Sequence, residues 1–237
     1  MRVMTWNIRA GGGSRLDRIA AAIAAHQADV LVLTEYRSGE AGLRLRAVLR
    51  DLGFRSQSAL EPPGIRNGVL IAAHRGLSRA APVAPHVPEP WRMVTVTVET
   101  MRLFGIYMPN LRAKVPYWEA LITAAVPHAR RVTLAIGDFN TCRAFVDEPG
   151  ATDRTAIYMD KILAAGFHDV WRDRFPDGRE FSWYSHRGNG FRIDHAFASP
   201  SLARRIGDVR YSHVERTSGL SDHAPLVVDI GGQSAIV

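Results

Sequence analysis

The chain has 237 residues, of which 46% are hydrophobic and 22% charged, and its formal net charge at pH 7 is +7. This composition excludes a disordered or fibrous protein and allows a single domain over 1–237. No apolar run reaches the roughly 18 residues of a membrane span, and the N-terminal stretch lacks the apolar segment of a signal peptide. We therefore expect a soluble, cytoplasmic protein with no membrane partner.

The basic charge is carried almost entirely by arginine, because Lys114 and Lys161 are the only lysines among 30 basic residues. Arginine suits bidentate contact with phosphate, which favours an anionic polymer as partner. A compositional bias spread over a solvated surface would give the same counts, so charge alone does not decide. The single cysteine, Cys142, excludes an internal disulfide and a thiolate metal site.

Hydrophobic periodicity predicts alternating strands and helices in the first half of the chain. The predicted strands cover 2–8, 29–35, 68–74, 92–99 and 101–108, and the predicted helices cover 14–26, with Ser14 as its cap, and 40–51. A tight hairpin is expected at Glu99 and Thr100. The proline-rich stretch 81–91 is predicted to be a loop.

The second half of the chain continues the same mixture. Helices are predicted at 113–126, entered through Pro116, and at 154–166, and strands at 191–199, 207–214 and 224–230. A further strand of six mostly apolar residues is predicted within 130–143, where it stops at Gly137. Hairpins mixed with β-α alternation predict an α+β fold, a four-layer sandwich in which two packed mixed β-sheets are flanked by helices.

Polar residues gather where the predicted strands end. Those at strand ends are Asn7, Glu35, Tyr107, Asn110, Asp138 and Asn140. Asp194 lies within the apolar run FRIDHAFAS, where an unpaired carboxylate would be costly, and His223 of SDHAPL is its natural partner. One such placement is ordinary turn chemistry, but several in one chain indicate a site.

These residue types suit metal-assisted phosphoryl transfer. Glu35 with the Asn7 carbonyl would make an incomplete Mg²⁺ site that leaves positions for substrate oxygens. Asp138 could orient and deprotonate a water while Asn140 holds a phosphate oxygen. His223, paired with Asp194, can donate a hydrogen bond to the transition state.

Six short motifs, TWNI, LVLTE, GIYMPN, GDFN, FRIDH and SDHAPL, follow one another between residues 5 and 226. In this order they resemble the motifs of the endonuclease/exonuclease/phosphatase superfamily, and they are most similar to its exonuclease III-like branch of abasic-site endonucleases. The resemblance implies the four-layer sandwich and Mg²⁺-dependent hydrolysis of phosphoric esters, with Mn²⁺ as an alternative ion.

Residue by residue, the resemblance implies roles for the positions that match the motifs. Asn7, Glu35 and Asp222 would be metal-site residues, Tyr107 a phosphate-contacting tyrosine, and Asp138, Asn140, Asp194 and His223 the remaining catalytic residues. Arg9 stands where several repair enzymes have a further polar metal-site residue, and we assign it, with Asn110 and Arg192, to substrate binding.

The substrate is the harder question. Trp183 would pack against a flipped-out or abasic sugar, although a core tryptophan at a strand edge would look the same in sequence. The segments around Trp183 and after GDFN are shorter than the DNA-gripping insertions of repair enzymes. We expect a monomeric DNA nuclease. The alternatives are a phosphatase or phosphodiesterase for small, lipid or RNA phosphates, and a catalytically silent nucleic-acid-binding module.

Overall fold

The computed structural model describes residues 1–150 and 153–231. Its strands are β1 (Arg2–Asn7), β2 (Val30–Tyr36), β3 (Ser56–Ala59), β4 (Gly68–Ala73), β5 (Ala81–Pro82), β6 (Met93–Val98), β7 (Met101–Tyr107), β8 (Thr133–Asp138), β9 (His168–Asp169), β10 (Trp183–Tyr184), β11 (Gly190–Phe191), β12 (Asp194–Ala198), β13 (Ile206–Tyr211) and β14 (Leu226–Ile230). Its α-helices are α1 (Leu16–His26), α2 (Gly39–Asp51), α3 (Val115–Ala125), α4 (Ile157–Ala164), α5 (Val170–Arg174), α6 (Pro200–Ala203) and α7 (Val214–Thr217).

Two six-stranded mixed sheets form the centre of the molecule. One has the order β13-β14-β1-β2-β4-β3 and the other β5-β6-β7-β8-β12-β9, while β10 and β11 form a separate two-stranded hairpin. Within the first sheet β1 and β2 are parallel, and within the second β7 and β8 are parallel. Antiparallel strands flank both pairs.

The side-chain alternation of the strands divides the core into layers. Val3 and Val32 point into the core between the two sheets, whereas their neighbours Met4 and Leu31 point to an outer core packed against α1 and α2. A second outer core packs the other sheet against α3 and α4, with Trp118 buried at its centre. Because successive strand residues face opposite ways, each central strand serves two cores at once. The predicted four-layer α+β sandwich is confirmed.

Most predicted elements are present with boundaries shifted by one to three residues. The hairpin at Glu99 is confirmed by the pairing of Val98 with Met101, and Glu99 takes the left-handed conformation with φ 53°. Ser14 is not the helix cap, because it lies within a single 3₁₀ turn that precedes α1 and makes no capping hydrogen bond.

One predicted strand differs from the structure in kind, and some short elements were not predicted. The predicted strand 191–199 is broken into β11 and β12, with Arg192 and Ile193 between them. The strand β3 and the short elements β9 and β10 were not predicted, because they are too short or too polar for a periodic signal. The proline-rich loop is confirmed, apart from β5 at its start and one 3₁₀ turn, Pro90–Arg92, at its end.

None of the helices in the described ranges combines the length and apolar character that a membrane span requires.

Candidate active site

Strand register places three polar side chains side by side at one edge of the second sheet. Tyr107, the last residue of β7, pairs with Asp138, the last residue of β8, and Asp138 in turn pairs with Asp194, the first residue of β12. Gly137 allows the close approach, because a Cβ at this position would lie 1.9 Å from the Ile106 carbonyl oxygen. Any side chain at Gly137 would therefore push β8 away from β7 and displace Asp138.

The first sheet contributes Glu35 through a β-bulge. Thr34 pairs with Val69 and Tyr36 with Gly68, so Glu35 is the extra residue, and it adopts φ 57°. A bulge redirects a side chain that regular pleating would turn elsewhere. Glu35 consequently lies near Asn7 at the end of β1, with 3.2 Å between Asn7 Nδ2 and Glu35 Oε1.

These strand ends surround an open cleft of about 520 Å³. Nine of the predicted site residues line it: Asn7, Glu35, Tyr107, Asn110, Asp138, Asn140, Trp183, Asp222 and His223. The structure thus brings together side chains that are spread over more than 200 positions of the sequence. Asp194 lies beneath the cleft, where it contacts His223.

Asp138 is buried and held by hydrogen bonds to both of its oxygens. The backbone N–H of Asn140 donates to Oδ1 at 2.9 Å, and Asn7 Nδ2 donates to Oδ2 at 3.0 Å. Burial and the neighbouring charge of Asp194 raise the pKa of Asp138 to about 7. The carboxyl group is therefore oriented and more basic than an ordinary aspartate, as a group that accepts a proton from water must be.

The predicted pairing of His223 with Asp194 is present, with 2.8 Å between His223 Nδ1 and Asp194 Oδ2. Burial opposes protonation of the imidazole, but the charges of Asp194, Asp138 and Asp222 raise the pKa of His223 to about 10. The ring therefore carries two N–H groups at neutral pH. Because Nδ1 donates to Asp194, Nε2 is the donor left for a group in the cleft.

Asn7 lies between two carboxylates of the cleft, and its role in the metal site stays a prediction. Its Nδ2 donates to Glu35 and Asp138, while its Oδ1 accepts a hydrogen bond from the Arg9 backbone N–H at 2.9 Å. Asn7 Nδ2 also lies 3.5 Å from His223 Nε2. The amide is oriented by the two carboxylates, because the opposite orientation would set an oxygen against both of them. Asn7 thus positions both carboxylates and turns its amide oxygen away from them.

Trp183 and Asp222 form one wall of the cleft together with Phe191. The indole Nε1 of Trp183 donates to Asp222 Oδ2 at 3.2 Å, and its ring centroid lies 5.6 Å from that of Phe191. Trp183 is only partly buried and lines the cleft, so it is not a core tryptophan. Asn110 also lines the cleft and is exposed.

Two predicted substrate-binding residues do not line the cleft. Arg9 has an exposed side chain, and its backbone adopts φ 53° in the turn after β1. Arg192 requires a correction, because its side chain is 0% exposed and binds two carboxylates, Asp147 at 2.8 Å and Asp169 at 2.7 Å. Burial opposes ionisation of Asp169, but the charge of Arg192 holds the pKa of that carboxyl well below its usual range. Arg192 therefore ties three chain segments together and cannot reach a substrate.

Sequence reasoning missed several residues that hold the site in shape. Lys114 is 2% exposed, lines the cleft, and donates to the Asn140 carbonyl and to Asp153 at 3.0 Å. Ser221 donates to the Asn7 carbonyl at 2.6 Å and so links β1 to the loop that carries His223. Lys114 was recognisable only as one of two lysines in an arginine-rich chain, and Ser221 only as part of the motif SDHAPL.

Asn140 itself is fixed by three contacts. Besides the N–H bond to Asp138 and the Lys114 bond to its carbonyl, its Nδ2 donates to the Met108 carbonyl at 2.8 Å. These contacts hold a left-handed backbone, φ 48°, that asparagine tolerates better than most residues. The turn after β8 is thus preorganised.

Solved structures share this fold over nearly the whole chain. A 3′ phosphatase, NExo from Neisseria, bound to a product DNA hairpin is 24% identical with a TM-score of 0.84, and the match covers 98% of this chain and 100% of that one. An AP endonuclease from Archaeoglobus fulgidus is 23% identical with a TM-score of 0.83, covering 97% and 99% of the two chains. A 3′-5′ exonuclease, NExo from Neisseria meningitidis, is 24% identical with a TM-score of 0.83, covering 98% and 100%.

No curated protein matches the sequence. The family model described as Endonuclease/Exonuclease/phosphatase family matches residues 4–223, a range that contains every residue of the cleft discussed above. The chain therefore belongs to the Endonuclease/Exonuclease/phosphatase family and is a phosphoric ester hydrolase.

Proposed function

We propose that the protein is a Mg²⁺-dependent nuclease that hydrolyses phosphodiester bonds of DNA. The observation that carries the proposal is the convergence of a buried, hydrogen-bonded carboxylate, Asp138, with the N–H donor of His223 in one open cleft. Of the three solved structures of the same fold, one is bound to a product DNA hairpin, and the other two are an AP endonuclease and a 3′-5′ exonuclease, which supports a nucleic acid over other phosphoric esters. The net charge of +7 also favours a polyanionic substrate such as DNA.

In the proposed mechanism Asp138 orients a water and takes its proton. The Asn140 backbone and Asn7 hold the carboxylate in one orientation, so little rearrangement is needed when the water attacks phosphorus and the P–O bond to the departing sugar oxygen breaks. His223 Nε2 donates to a phosphate oxygen as negative charge develops there. Burial and the charge of Glu35 raise the pKa of Tyr107 to about 12, so its phenol stays protonated and is a second donor.

A divalent cation is part of this proposal, and the donor set of the cleft fits one. The carboxylate of Glu35 is only partly buried, and the exposed carboxylate of Asp222 lines the same cleft, so both offer hard oxygen ligands. Asp138, Asp194 and His223 also place ligand atoms within 4.8 Å of one another, but all three are buried, and the proposal already uses Asp138 for the water and His223, held by Asp194, for the phosphate. We therefore assign the ion to Glu35 and Asp222. When bound, it would neutralise charge on the phosphate.

Magnesium is expected to raise the melting temperature of the protein, because a ligand that binds only the folded state stabilises it. Glu35→Gln should shift the Mg²⁺ midpoint of this effect by roughly tenfold or more, since even hydrogen-bond partners of metal ligands contribute about 10- to 100-fold to affinity. Thermal melts over a Mg²⁺ titration measure the shift, and Glu40→Gln on the exposed face of α2 is the control.

Chelator should also remove activity, and Mg²⁺ or Mn²⁺ should restore it. Full activity in EDTA would contradict the metal assignment.

A matched substrate panel tests the function itself. Duplex DNA with an abasic-site analogue, duplex DNA with a 3′ phosphate at a nick, single-stranded DNA, RNA of the same sequence and a short-chain phosphoinositide are compared in Mg²⁺. We expect turnover of at least one DNA substrate, with affinity falling steeply as salt rises, because each neutralised phosphate releases counterions. A shallow salt dependence together with faster turnover of the phosphoinositide would overturn the DNA assignment in favour of a small-phosphate enzyme. Nucleic-acid binding without turnover of any substrate would instead indicate a silent binding module.

A further inference from the structure

The proline-rich loop before β6 ends directly beneath a residue of the cleft. Arg92, the last residue of the 3₁₀ turn Pro90–Arg92, places its guanidinium 4.6 Å from the ring centroid of Tyr107. Glu89 holds this guanidinium, with 2.5 Å between Arg92 Nε and Glu89 Oε2. None of the chemistry proposed above uses Arg92, Glu89 or the loop that carries them.

The support of Arg92 extends away from the cleft. The backbone N–H of Glu89 donates to the hydroxyl of buried Tyr117 in α3 at 2.9 Å. Pro90 begins the 3₁₀ turn, and proline there fixes the backbone with little entropy left to lose. The side chain of Arg92 is 16% exposed, so solvent screens its charge only weakly. The guanidinium is consequently held in one position and largely removed from water.

The hydroxyl group of Tyr107 makes only long contacts with its neighbours on the first sheet and the loop before β4. Its Oη lies 3.5 Å from Glu35 Oε1 and 3.5 Å from Asn67 Nδ2, distances at the limit of a hydrogen bond. The ring itself is 8% exposed and has the planar Arg92 group against it. A cation over an aromatic face is attracted most strongly when the pair is removed from water.

We propose that Arg92 is a positioning residue for the reaction, which holds the ring of Tyr107 so that its hydroxyl faces the substrate phosphate. The inference rests on the proposed role of Tyr107 as a phosphate donor. Arg92 acts through the ring and does not itself touch the substrate. A planar guanidinium stacks on a ring in a way that an ammonium group cannot, so lysine should replace Arg92 only in part.

A double-mutant cycle tests the proposal. The kcat and KM of the parent, Arg92→Gln, Tyr107→Phe and the double variant are measured on the best substrate of the panel above, with melting temperatures for each. We expect Arg92→Gln to lower kcat roughly tenfold with little change in KM, and to have almost no further effect when Tyr107→Phe is already present, because coupled residues are not additive. Arg92→Lys should recover part of kcat.

The control is Arg66→Gln, which removes the other arginine bound to Glu89, an exposed one with 2.9 Å between Arg66 Nη1 and Glu89 Oε1. Its kcat should equal that of the parent. Equal, additive losses from Arg92→Gln and Tyr107→Phe would overturn the proposal, as would a loss confined to KM or an equal loss in Arg66→Gln. If Arg92→Gln does not fold, the cycle is run with Arg92→Lys, and additive losses in kcat would again overturn the proposal. A failed cycle on a substrate that is turned over overturns only the role of Arg92, whereas failure of the DNA assignment appears in the panel itself.

Discussion

Replacing Asp138 by asparagine is expected to lower the single-turnover rate about 10²- to 10⁴-fold, the contribution of one general base. The amide has the same shape as the carboxylate but cannot take a proton from water. One of the two N–H groups that now donate to Asp138, from Asn140 and Asn7, would face a donor after the change. Loss of the repulsion between Asp138 and Asp194 offsets that cost, so the melting temperature and DNA affinity should change little.

The measurement for Asp138→Asn is a single-turnover cleavage assay in saturating Mg²⁺, with a thermal melt and a DNA-binding titration on the same preparation. Asp177→Asn, at an exposed position outside the cleft, is the matched control and should cleave at the parental rate. Cleavage by Asp138→Asn within a few-fold of the parent would refute the assignment of the base.

Replacing His223 by alanine is expected to lower both the rate and the stability. The rate should fall at least as far as in Asp138→Asn, because the change removes an N–H donor from the cleft. Asp194, 1% exposed, would lose the partner that now lies 2.8 Å away. Breaking one side of a buried pair costs about 3 kcal/mol or more, which for a chain of this length lowers the melting temperature by roughly 6 to 12 °C.

The expected loss of stability distinguishes His223→Ala from Asp138→Asn, and two further variants serve as its controls. Asp194→Asn keeps an oxygen that accepts from His223 Nδ1, so its melting temperature should fall less than that of His223→Ala. His213→Ala removes a partly exposed histidine from Glu180, also at 2.8 Å, and should leave the melt nearly unchanged. An unchanged melt for His223→Ala would argue against the buried pair.

Much of the site was readable from the sequence because its residues end strands. A buried strand such as the one ending at Asp138 is marked by its apolar run, and Gly137 marks the point at which it stops. The resemblance of the six motifs to the family predicted which residues meet, although the strands that end on these residues belong to two different sheets. The pairing of His223 with Asp194 followed from the cost of an unpaired carboxylate in an apolar strand.

The direction in which a side chain points at a strand end was not readable in this way. Arg192 looked like a cleft residue next to Ile193 and Asp194, but the chain breaks between β11 and β12 there. The side chain instead meets Asp147 and Asp169, which come from segments 45 and 23 positions away. No local pattern encodes those distances, because a buried arginine is stable only when distant carboxylates converge on it.

The sequence by itself determined the layers, the central strands and the polar residues at their ends, since periodicity and turn chemistry are local properties. Only the tertiary structure decided that Asn7 donates to two carboxylates, that Lys114 donates to the Asn140 carbonyl, and that Arg92 lies against the ring of Tyr107. Each of these contacts joins residues at least 15 positions apart through a side chain. Their partners depend on which strands become neighbours and in which register, and the packing of the whole sandwich sets both.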